Sequence, residues 1–246
     1  MIMRQVVLMG LAITVVFSEA YAETEKVGNY TWQYSVVDGK AWIGSGVAET
    51  AAIFPKPVGE VTVPSELGGY EVFRLDDYAL CGCDEMTKLI IPDCVHQLGA
   101  WAFWKDAALS EIVLPANLEW IPEQAFRQCS SLREICLPPH VTRIDGDSAF
   151  GQCHSLTNIL IPSSVRSIGA NTFLACGALK EVVIPNSVTN IGIYAFSYCT
   201  GLESLTLPFI GSERGNSGTT ESVFGHIFGL SARANGTNKY YPRLPN

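Results

Sequence analysis

An internal repeat of about 23 residues constrains this chain more than any other feature. Five consecutive copies align with one another over the segments 86–108, 109–131, 132–155, 156–178 and 179–201. A looser copy precedes them at 61–85, and a half-copy follows at 202–208. A unit this short cannot bury its apolar side alone, so stacked copies have to share one core. The repeat therefore predicts a solenoid of about six turns over residues 61–208.

Each copy approximates the pattern L-x-x-L-x-L-P-x-x-V-x-x-I-G-x-x-A-F-x-x-C. Alternating apolar residues, such as Ile159 and Ile161, predict a short strand with one face inward, and the proline ends it. The V-x-x-I pair adds two inward side chains, and the Ala-Phe-x-x-Cys segment returns the chain. We therefore expect a mostly β, α/β-type solenoid. It should have a parallel sheet on one face, with strands about 4.7–4.9 Å apart, and short helical or turn return segments.

The phenylalanine and cysteine positions of the pattern predict two ladders that run through the core. The phenylalanine ladder contains Phe103, Phe126, Phe150, Phe173 and Phe196. The cysteine ladder contains Cys83, Cys129, Cys153, Cys176 and Cys199. Asp106 occupies the ladder position of one copy, and we expect its side chain to turn outward.

The regular cysteines could be metal ligands, disulfide partners, nucleophiles or small core residues. Zinc needs four ligands that converge at about 2.3 Å. Ladder residues about 5 Å apart point the same way and do not converge. We therefore favour core packing, and we predict no metal and no cofactor. Disulfides stay open for Cys81, Cys94 and Cys136, which lie off the ladder, because secretory compartments are oxidising.

The outward positions of the predicted strands form two columns along the sheet. The polar column contains Lys88, Glu111, Glu134, Asn158, Glu181 and Ser204. The apolar column contains Ile90, Val113, Cys136, Leu160, Val183 and Thr206. Contiguous exposed apolar surface usually marks an interaction site, although β-branched residues also favour strands without any partner. The candidate protein-binding residues are Ile90, Val113, Leu160, Val183, Glu111, Glu134 and Glu181.

Three tryptophans form a second candidate group, at Trp101, Trp104 and Trp120 in adjacent copies. Tryptophan is enriched at protein-binding hot spots, so these residues could contact a partner. They could equally pack beneath the N-terminal region, whose Trp32 and Trp42 also need cover.

The start of the chain has the features of a cleaved secretory signal peptide at residues 1–22. Arg4 precedes a mostly apolar run, and Ala20-Tyr21-Ala22 resembles a cleavage site. An uncleaved anchor is the alternative. We expect the mature chain to be secreted, or held at the cell surface or in the periplasm, without inserting into a membrane.

Two further segments flank the repeats. Residues 23–60 contain alternating apolar and polar residues around Asp38-Gly39, a strong hairpin signal that predicts an N-terminal β-hairpin cap. Residues 209–246 are rich in Gly, Ser, Asn and Thr, and we expect a C-terminal cap with a flexible tail.

Composition and motifs exclude two classes of function. The net charge of -8 and the pI near 5.0 argue against nucleic acid, which requires clustered Lys and Arg. The four histidines fall at different positions of the repeat, and no hydrolase, metalloprotease or phosphate-binding motif is present. We therefore predict that the chain is not an enzyme.

The repeat pattern resembles the leucine-rich repeats of the BspA type, which occur in bacterial surface proteins, including those of treponemes. The resemblance covers 61–208 and departs from the pattern at Lys105-Asp106, Pro122, Thr172 and near 145–148. It implies a non-catalytic recognition or adhesion protein. The partner would be a protein, with host extracellular-matrix and cell-surface proteins as candidates. The alternative is a structural spacer or cell-envelope component without a ligand.

Overall fold

The structure, a computed structural model, describes residues 23–144, 146–208 and 226–229. The predicted signal peptide at 1–22 and most of the predicted C-terminal region at 209–246 lie outside these residues. The described residues form a mostly β, parallel-strand solenoid of about six turns, as the repeat predicts.

The strands are named in chain order. They are β1 (Glu23–Val27), β2 (Tyr30–Val37), β3 (Lys40–Ile43), β4 (Ile53–Phe54), β5 (Val58–Thr62), β6 (Glu66–Leu67), β7 (Tyr70–Leu75), β8 (Glu85–Ile90), β9 (Gln97–Leu98), β10 (Glu111–Val113), β11 (Glu134–Cys136), β12 (Arg143–Ile144), β13 (Asn158–Leu160), β14 (Ser167–Ile168), β15 (Glu181–Val183), β16 (Asn190–Ile191) and β17 (Ser204–Thr206).

The N-terminal strands form a sheet that continues into the first repeat. β2 and β3 are antiparallel and are joined by Asp38-Gly39, where both residues have positive φ, as a two-residue hairpin turn requires. β1 and β4 pair antiparallel with β2, and β3 pairs parallel with β7. Trp32 and Tyr34 alternate along β2 and are buried, so one face of this sheet packs on the core.

The first strand of each copy contributes to a parallel sheet, which we call the repeat sheet. It consists of two hydrogen-bonded groups, in the orders β10-β8-β5 and β11-β13-β15-β17. Every strand from β10 to β15 in this sheet has a buried central residue between two exposed ones. The alternation places Ile112, Ile135, Ile159 and Val182 inward.

The V-x-x-I segments form a second parallel sheet, β12-β14-β16, in addition to the one sheet face that the sequence predicted. The isolated bridge between Trp120 and Arg143 extends it by one copy, and β7 pairs parallel with β9 nearer the N-terminus. Each of these strands is only two residues long from β9 onward, so no alternation could reveal them.

The return segments are turns, and none of those within the described ranges 23–144 and 146–208 is helical. Each turn holds two residues at positive φ, one two positions before the phenylalanine and one two positions after it. In one copy these are Trp101 (φ 55°) and Lys105 (φ 65°). The backbone N–H groups of Phe103 and Lys105 donate to Ala125 O and Arg127 O in the next copy, both at 3.0 Å. These hydrogen bonds between copies satisfy backbone groups that the turn itself leaves free.

The phenylalanine ladder is a continuous stack in the core. Consecutive ring centroids from Phe103 to Phe196 are 5.1, 5.3, 5.6 and 5.1 Å apart, with interplanar angles of 21°, 3°, 4° and 16°. All five rings are fully buried. The stack gives each copy an apolar contact with both of its neighbours, which no copy could obtain alone.

The glycine of the I-G pair allows neighbouring copies to approach closely. A Cβ added at Gly146 would overlap the backbone of Glu123, and one added at Gly192 would overlap the backbone of Ala170. At these two positions glycine is therefore needed because of contact between copies, whereas Pro122 replaces it in another copy.

Residues 226–228 supply the hydrogen-bond acceptors that a further copy would supply. Phe173 N donates to Ala195 O at 2.8 Å, and Phe196 N donates in the same way to Ile227 O at 2.9 Å. The side chain of Ile227 is fully buried. The last described turn is thus covered by a segment that is not itself a repeat. Within the three described ranges, no helix has the length and apolar character of a membrane span.

Candidate functional site

The apolar column lies on the outward face of the repeat sheet, over consecutive copies. Val113 is 45% exposed, Leu160 77% and Val183 52%. Cys136, between Val113 and Leu160, is also exposed, and Ile90 at the N-terminal end is half-buried. Cys136 stands opposite Leu160 in the pairing of β11 with β13. The column is therefore a narrow apolar strip across adjacent strands.

The polar column runs beside this strip and is unevenly charged. Lys88 contacts Glu111 at 3.1 Å and Glu60 at 3.7 Å. The hydrogen bond and charge of Glu111, followed by the charge of Glu60, raise the pKa of Lys88. Glu134 and Glu181 form no ion pair with any residue that the structure describes. The uncompensated negative charge of the column therefore lies at Glu134 and Glu181, C-terminal to the Lys88–Glu111 pair.

The three candidate tryptophans do not lie in the repeat strands. Trp101 stacks on Tyr78 with centroids 5.1 Å apart, and Trp104 meets the same ring edge-on at 6.4 Å. Trp120 lies at the bridge of the second sheet, with the Arg143 guanidinium 5.8 Å from its ring centroid. All three are half-buried, and the structure does not bring them onto the face that carries the apolar column.

The five ladder cysteines are buried, and the thiols of all but Cys83 are hydrogen-bonded. Sγ of Cys129, Cys153 and Cys176 lies 3.2, 3.1 and 3.1 Å from a phenylalanine carbonyl oxygen of the preceding copy, and Sγ of Cys199 lies 3.0 Å from another. Burial raises the pKa of Cys199 to about 12 and raises the pKa of Cys129 well above its usual range. A thiol held neutral in this way is a poor nucleophile and a poor metal ligand.

The expectation that Asp106 turns outward is wrong. Its side chain is fully buried, and Oδ1 accepts a hydrogen bond from Cys83 N at 2.8 Å. Oδ2 is buried without any hydrogen-bond partner. Loss of hydration raises the pKa of Asp106 well above its usual range, and the charge of Asp84 adds to this effect. The backbone N–H of Cys83 has no acceptor in its own turn, and Asp106 Oδ1 supplies one. This hydrogen bond explains why the carboxyl group stays inside.

No catalytic or disulfide pairing joins the remaining cysteines and histidines that the structure describes. All eight cysteines of the chain are free. Cys153 Sγ is directed to the carbonyl of Phe126, whereas the exposed His154 has Nδ1 3.0 Å from Ala175 O, so the two neighbours in sequence do not form a dyad. Among the described residues, no group of three or more His, Cys, Asp or Glu side chains could hold a metal ion.

A cleft at the edge of the return turns, lined by polar side chains and apolar surface together, was not predicted from the sequence. It consists of two depressions, of about 580 and 350 Å³, that meet at Lys105. We call it the turn-edge cleft and define it by Gln33, Lys56, Trp104, Lys105, Gln128 and Gln152. The sequence signal was faint, because the column that Lys105, Gln128 and Gln152 share in consecutive copies has no fixed residue type.

Comparison with known proteins matches the repeat array to a family. The model of the BspA type leucine rich repeat region matches residues 61–177 and 146–217, in six copies. No curated protein matches the chain. Among solved structures, a leucine rich repeat protein of T. pallidum is 29% identical, and the match covers 71% of this chain and 78% of that one, with a TM-score of 0.64.

Two longer bacterial proteins share the fold. A leucine rich cell surface protein of Faecalibacterium prausnitzii A2-165 is 26% identical over 76% of this chain and 55% of its own, with a TM-score of 0.55. The pneumococcal vaccine antigen PcpA is 20% identical over 76% of this chain and 51% of its own, with a TM-score of 0.58. The chain thus spans about half the length of these two. Since the family model matches more than half of the chain, and the solenoid has the architecture that its pattern requires, this protein belongs to the BspA-type leucine-rich repeat family.

Proposed function

We propose that this chain is an exported, non-catalytic recognition module that binds a protein partner through the outward face of the repeat sheet. The observation that carries the proposal is the exposed apolar column, with Val113, Leu160 and Val183 open to solvent within four consecutive copies. Such a strip usually marks an interaction surface. Members of the family are often surface or adhesion proteins and are typically non-catalytic, which supports the proposal.

The charges beside the strip define the partner further. Glu134 and Glu181 flank the apolar column without an ion-pair partner among the described residues, whereas Glu111 is compensated by Lys88. A partner that places Lys or Arg beside an extended apolar segment would match this pattern. Because these carboxylates lie at the surface, they would chiefly raise the association rate and set specificity.

We also propose a domain division that follows from this role. Residues 1–22 direct export, 23–60 cap the first repeat, 61–208 present the binding face, and 209–246 form the C-terminal cap and tail. The antiparallel pairing of β1, β2 and β3 supports the first cap, because it covers an edge that the solenoid would otherwise leave open.

A variant with Val113, Leu160 and Val183 all changed to Lys tests the binding face. The matched control changes three other exposed apolar residues, Val47, Ile193 and Tyr198, to Lys. These residues lie off the repeat sheet. Partners captured by the wild-type chain from host-cell or envelope extracts are identified, purified and titrated against all three proteins. We expect the repeat-sheet variant to lose the binding and the control to keep it.

Two results would contradict the proposal. If the folded repeat-sheet variant binds a purified partner as tightly as the wild type, the apolar column is not the site. If no partner reproduces binding as a purified protein, the chain is better described as a spacer or envelope component.

A further inference from the structure

The turn-edge cleft is open to solvent and has the volume of a small-ligand site, and it lies apart from the outward face of the repeat sheet. Its larger depression, of about 580 Å³, is bounded by β2, β4 and the turns that contain Gly82 and Lys105. The smaller one continues along the turns that contain Gln128 and Gln152. Clefts of roughly 300–1,000 Å³ are typical of small-ligand sites.

The lining contains uncharged hydrogen-bonding groups set among apolar surface. They include Thr31, Gln33, Thr50 and Ser130, together with the two glutamines of the turns. The charged side chains of the cleft balance, because the positive charges of Lys56 and Lys105 are matched by the negative charges of Glu49 and Asp84. A cleft without a net charge does not select an ion, and it suits a neutral ligand that carries many hydroxyl groups.

Gln128 and Gln152 are the most informative residues of the cleft. They occupy the same position in consecutive copies, at φ 65° and 63°. Neither side-chain amide hydrogen-bonds to another residue that the structure describes. Each amide offers both a donor and an acceptor, the combination that pairs of sugar hydroxyls require. Neighbouring copies are about 4.7–4.9 Å apart, which is close to the length that one sugar ring adds to an extended chain.

Aromatic side chains complete the chemistry. Phe54 borders the larger depression and is 73% exposed, whereas the half-buried Trp104 in the same depression has the Lys105 ammonium 3.6 Å from its ring centroid. The C–H face of a pyranose ring packs on an aromatic ring, and its hydroxyl edge remains free for amides and carboxylates. The cleft therefore offers an apolar platform at one end and two free amides at the other.

We infer that the turn-edge cleft binds a neutral oligosaccharide, with rings packed against Phe54 and hydroxyl groups bonded to Gln128 and Gln152. Other occupants fit less well. The described residues contain no metal-binding group of three side chains, the overall charge of -8 disfavours polyanions, and the polar amides would stay unpaired against an aliphatic chain.

Isothermal titration of the full chain with cellohexaose and with the β-1,4-linked hexamer of N-acetylglucosamine tests the inference. We expect saturable 1:1 binding of at least one of them, with a Kd of about 1 mM or tighter. The affinity should be the same at low and high salt, because the ligand is uncharged. Dextran sulfate should not bind.

Paired glycine variants locate the binding. A variant with Gln128→Gly and Gln152→Gly removes both amides, and glycine tolerates the positive φ at these positions. The control, Ala175→Gly with Tyr198→Gly, changes the same position of the next two copies, at φ 59° in each, outside the cleft. We expect the first variant to bind about tenfold more weakly or worse, which corresponds to two lost hydrogen bonds, and the control to bind normally.

The inference is overturned if neither sugar binds, if the glutamine variant binds as well as the wild type, or if only dextran sulfate or an acidic peptide binds. The repeat-sheet lysine variant should keep its sugar binding. Failure of this inference is therefore separate from failure of the proposed protein-binding face.

Discussion

Asp106→Asn tests the most unusual feature of the core, a buried carboxyl group in a ladder of cysteines. The amide keeps the oxygen that accepts the hydrogen bond from Cys83 N, and it replaces the unpartnered Oδ2 with a group that cannot become charged. The substitution is nearly isosteric, but it places an amide N–H2 where Oδ2 has no partner. The change of the stability difference with pH therefore reports on protonation of the carboxyl group, whereas a pH-independent offset reports on the new amide.

The sign of the pH dependence follows from the raised pKa. Burial, and then the charge of Asp84, raises the pKa of Asp106, whereas the hydrogen bond from Cys83 N and the charge of Lys56 act in the opposite direction. The folded state thus holds the proton more tightly than the unfolded chain. Stability from this group is complete below the ordinary Asp pKa of about 3.9, and it is lost as the pH rises through the folded-state pKa. The nearby Cys81 has a pKa raised to about 11 by burial, so it stays neutral over this range.

The expected effect is a steady change with pH in the difference between the unfolding free energies of the two proteins. Relative to the wild type, Asp106→Asn should gain about 1.4 kcal/mol of unfolding free energy per pH unit above about pH 4, until the pH passes the folded-state pKa. Beyond that pH the difference should level off. Other titrating groups cancel to first order, because both proteins contain them.

Urea unfolding at a series of pH values between about 4 and 7 measures this difference. Glu203→Gln, an acid-to-amide change at an exposed position of the last half-copy, is the control. A difference between Asp106→Asn and the wild type that stays constant with pH would refute the reasoning, since it would mean that the carboxyl group is equally easy to ionise in both states. A difference that falls with rising pH would refute it more strongly.

Three further predictions address the packing of the repeats. Phe173→Ala should lower the unfolding free energy by about 3–5 kcal/mol in urea, and a loss below about 1 kcal/mol would contradict its place in the buried stack. Gly192→Ala should cost about 1–3 kcal/mol because its Cβ meets the backbone of the preceding copy, whereas Gly177→Ala, with its nearest atom 3.5 Å away, should be nearly neutral; equal costs would show that copies can separate freely. In native protein, thiol labelling followed by mass spectrometry should find Cys136 modified first, and rapid labelling of Cys176 would argue against the buried ladder.

The sequence predicted the repeat solenoid because the same types of apolar residue recur at the inward positions of every copy. Alternation at Ile159 and Ile161 marks a strand in which one face is buried, and the same phase recurs in every copy. The second sheet could not be predicted in this way. Each of its strands, such as β14, contributes two residues per copy, and two residues do not show a period.

The return turns were predicted less well, because their conformation departs from residue preference. Positive φ normally favours glycine or asparagine, yet Trp101 and Gln128 adopt it here. Hydrogen bonds to the next copy impose this conformation, so it depends on contacts that local sequence does not encode. The turn-edge cleft follows from these turns and was missed for the same reason.

Asp106 shows a different limit. A charged residue at a core position suggests an outward side chain, since burial of a carboxyl group is costly. The structure offsets that cost with the unpaired N–H of Cys83. In the later copies the N–H of the ladder cysteine donates to a carbonyl of its own turn, and Cys83 in the first copy lacks that acceptor. A pattern shared by the later copies could therefore not reveal it.

The arrangement of the copies also restricts the shape of any ligand. The inward positions are occupied by stacked rings and by thiols bonded to carbonyl groups, so variation is available on the outward columns of the sheet and on the turn column that contains Gln128 and Gln152. Each column advances by one residue per copy, so a site that uses several copies must be a strip. A compact ligand would contact only one or two copies, whereas an extended peptide or a sugar chain can follow the whole column. Substitutions along either column should therefore weaken binding in steps, with the loss growing as more copies are changed.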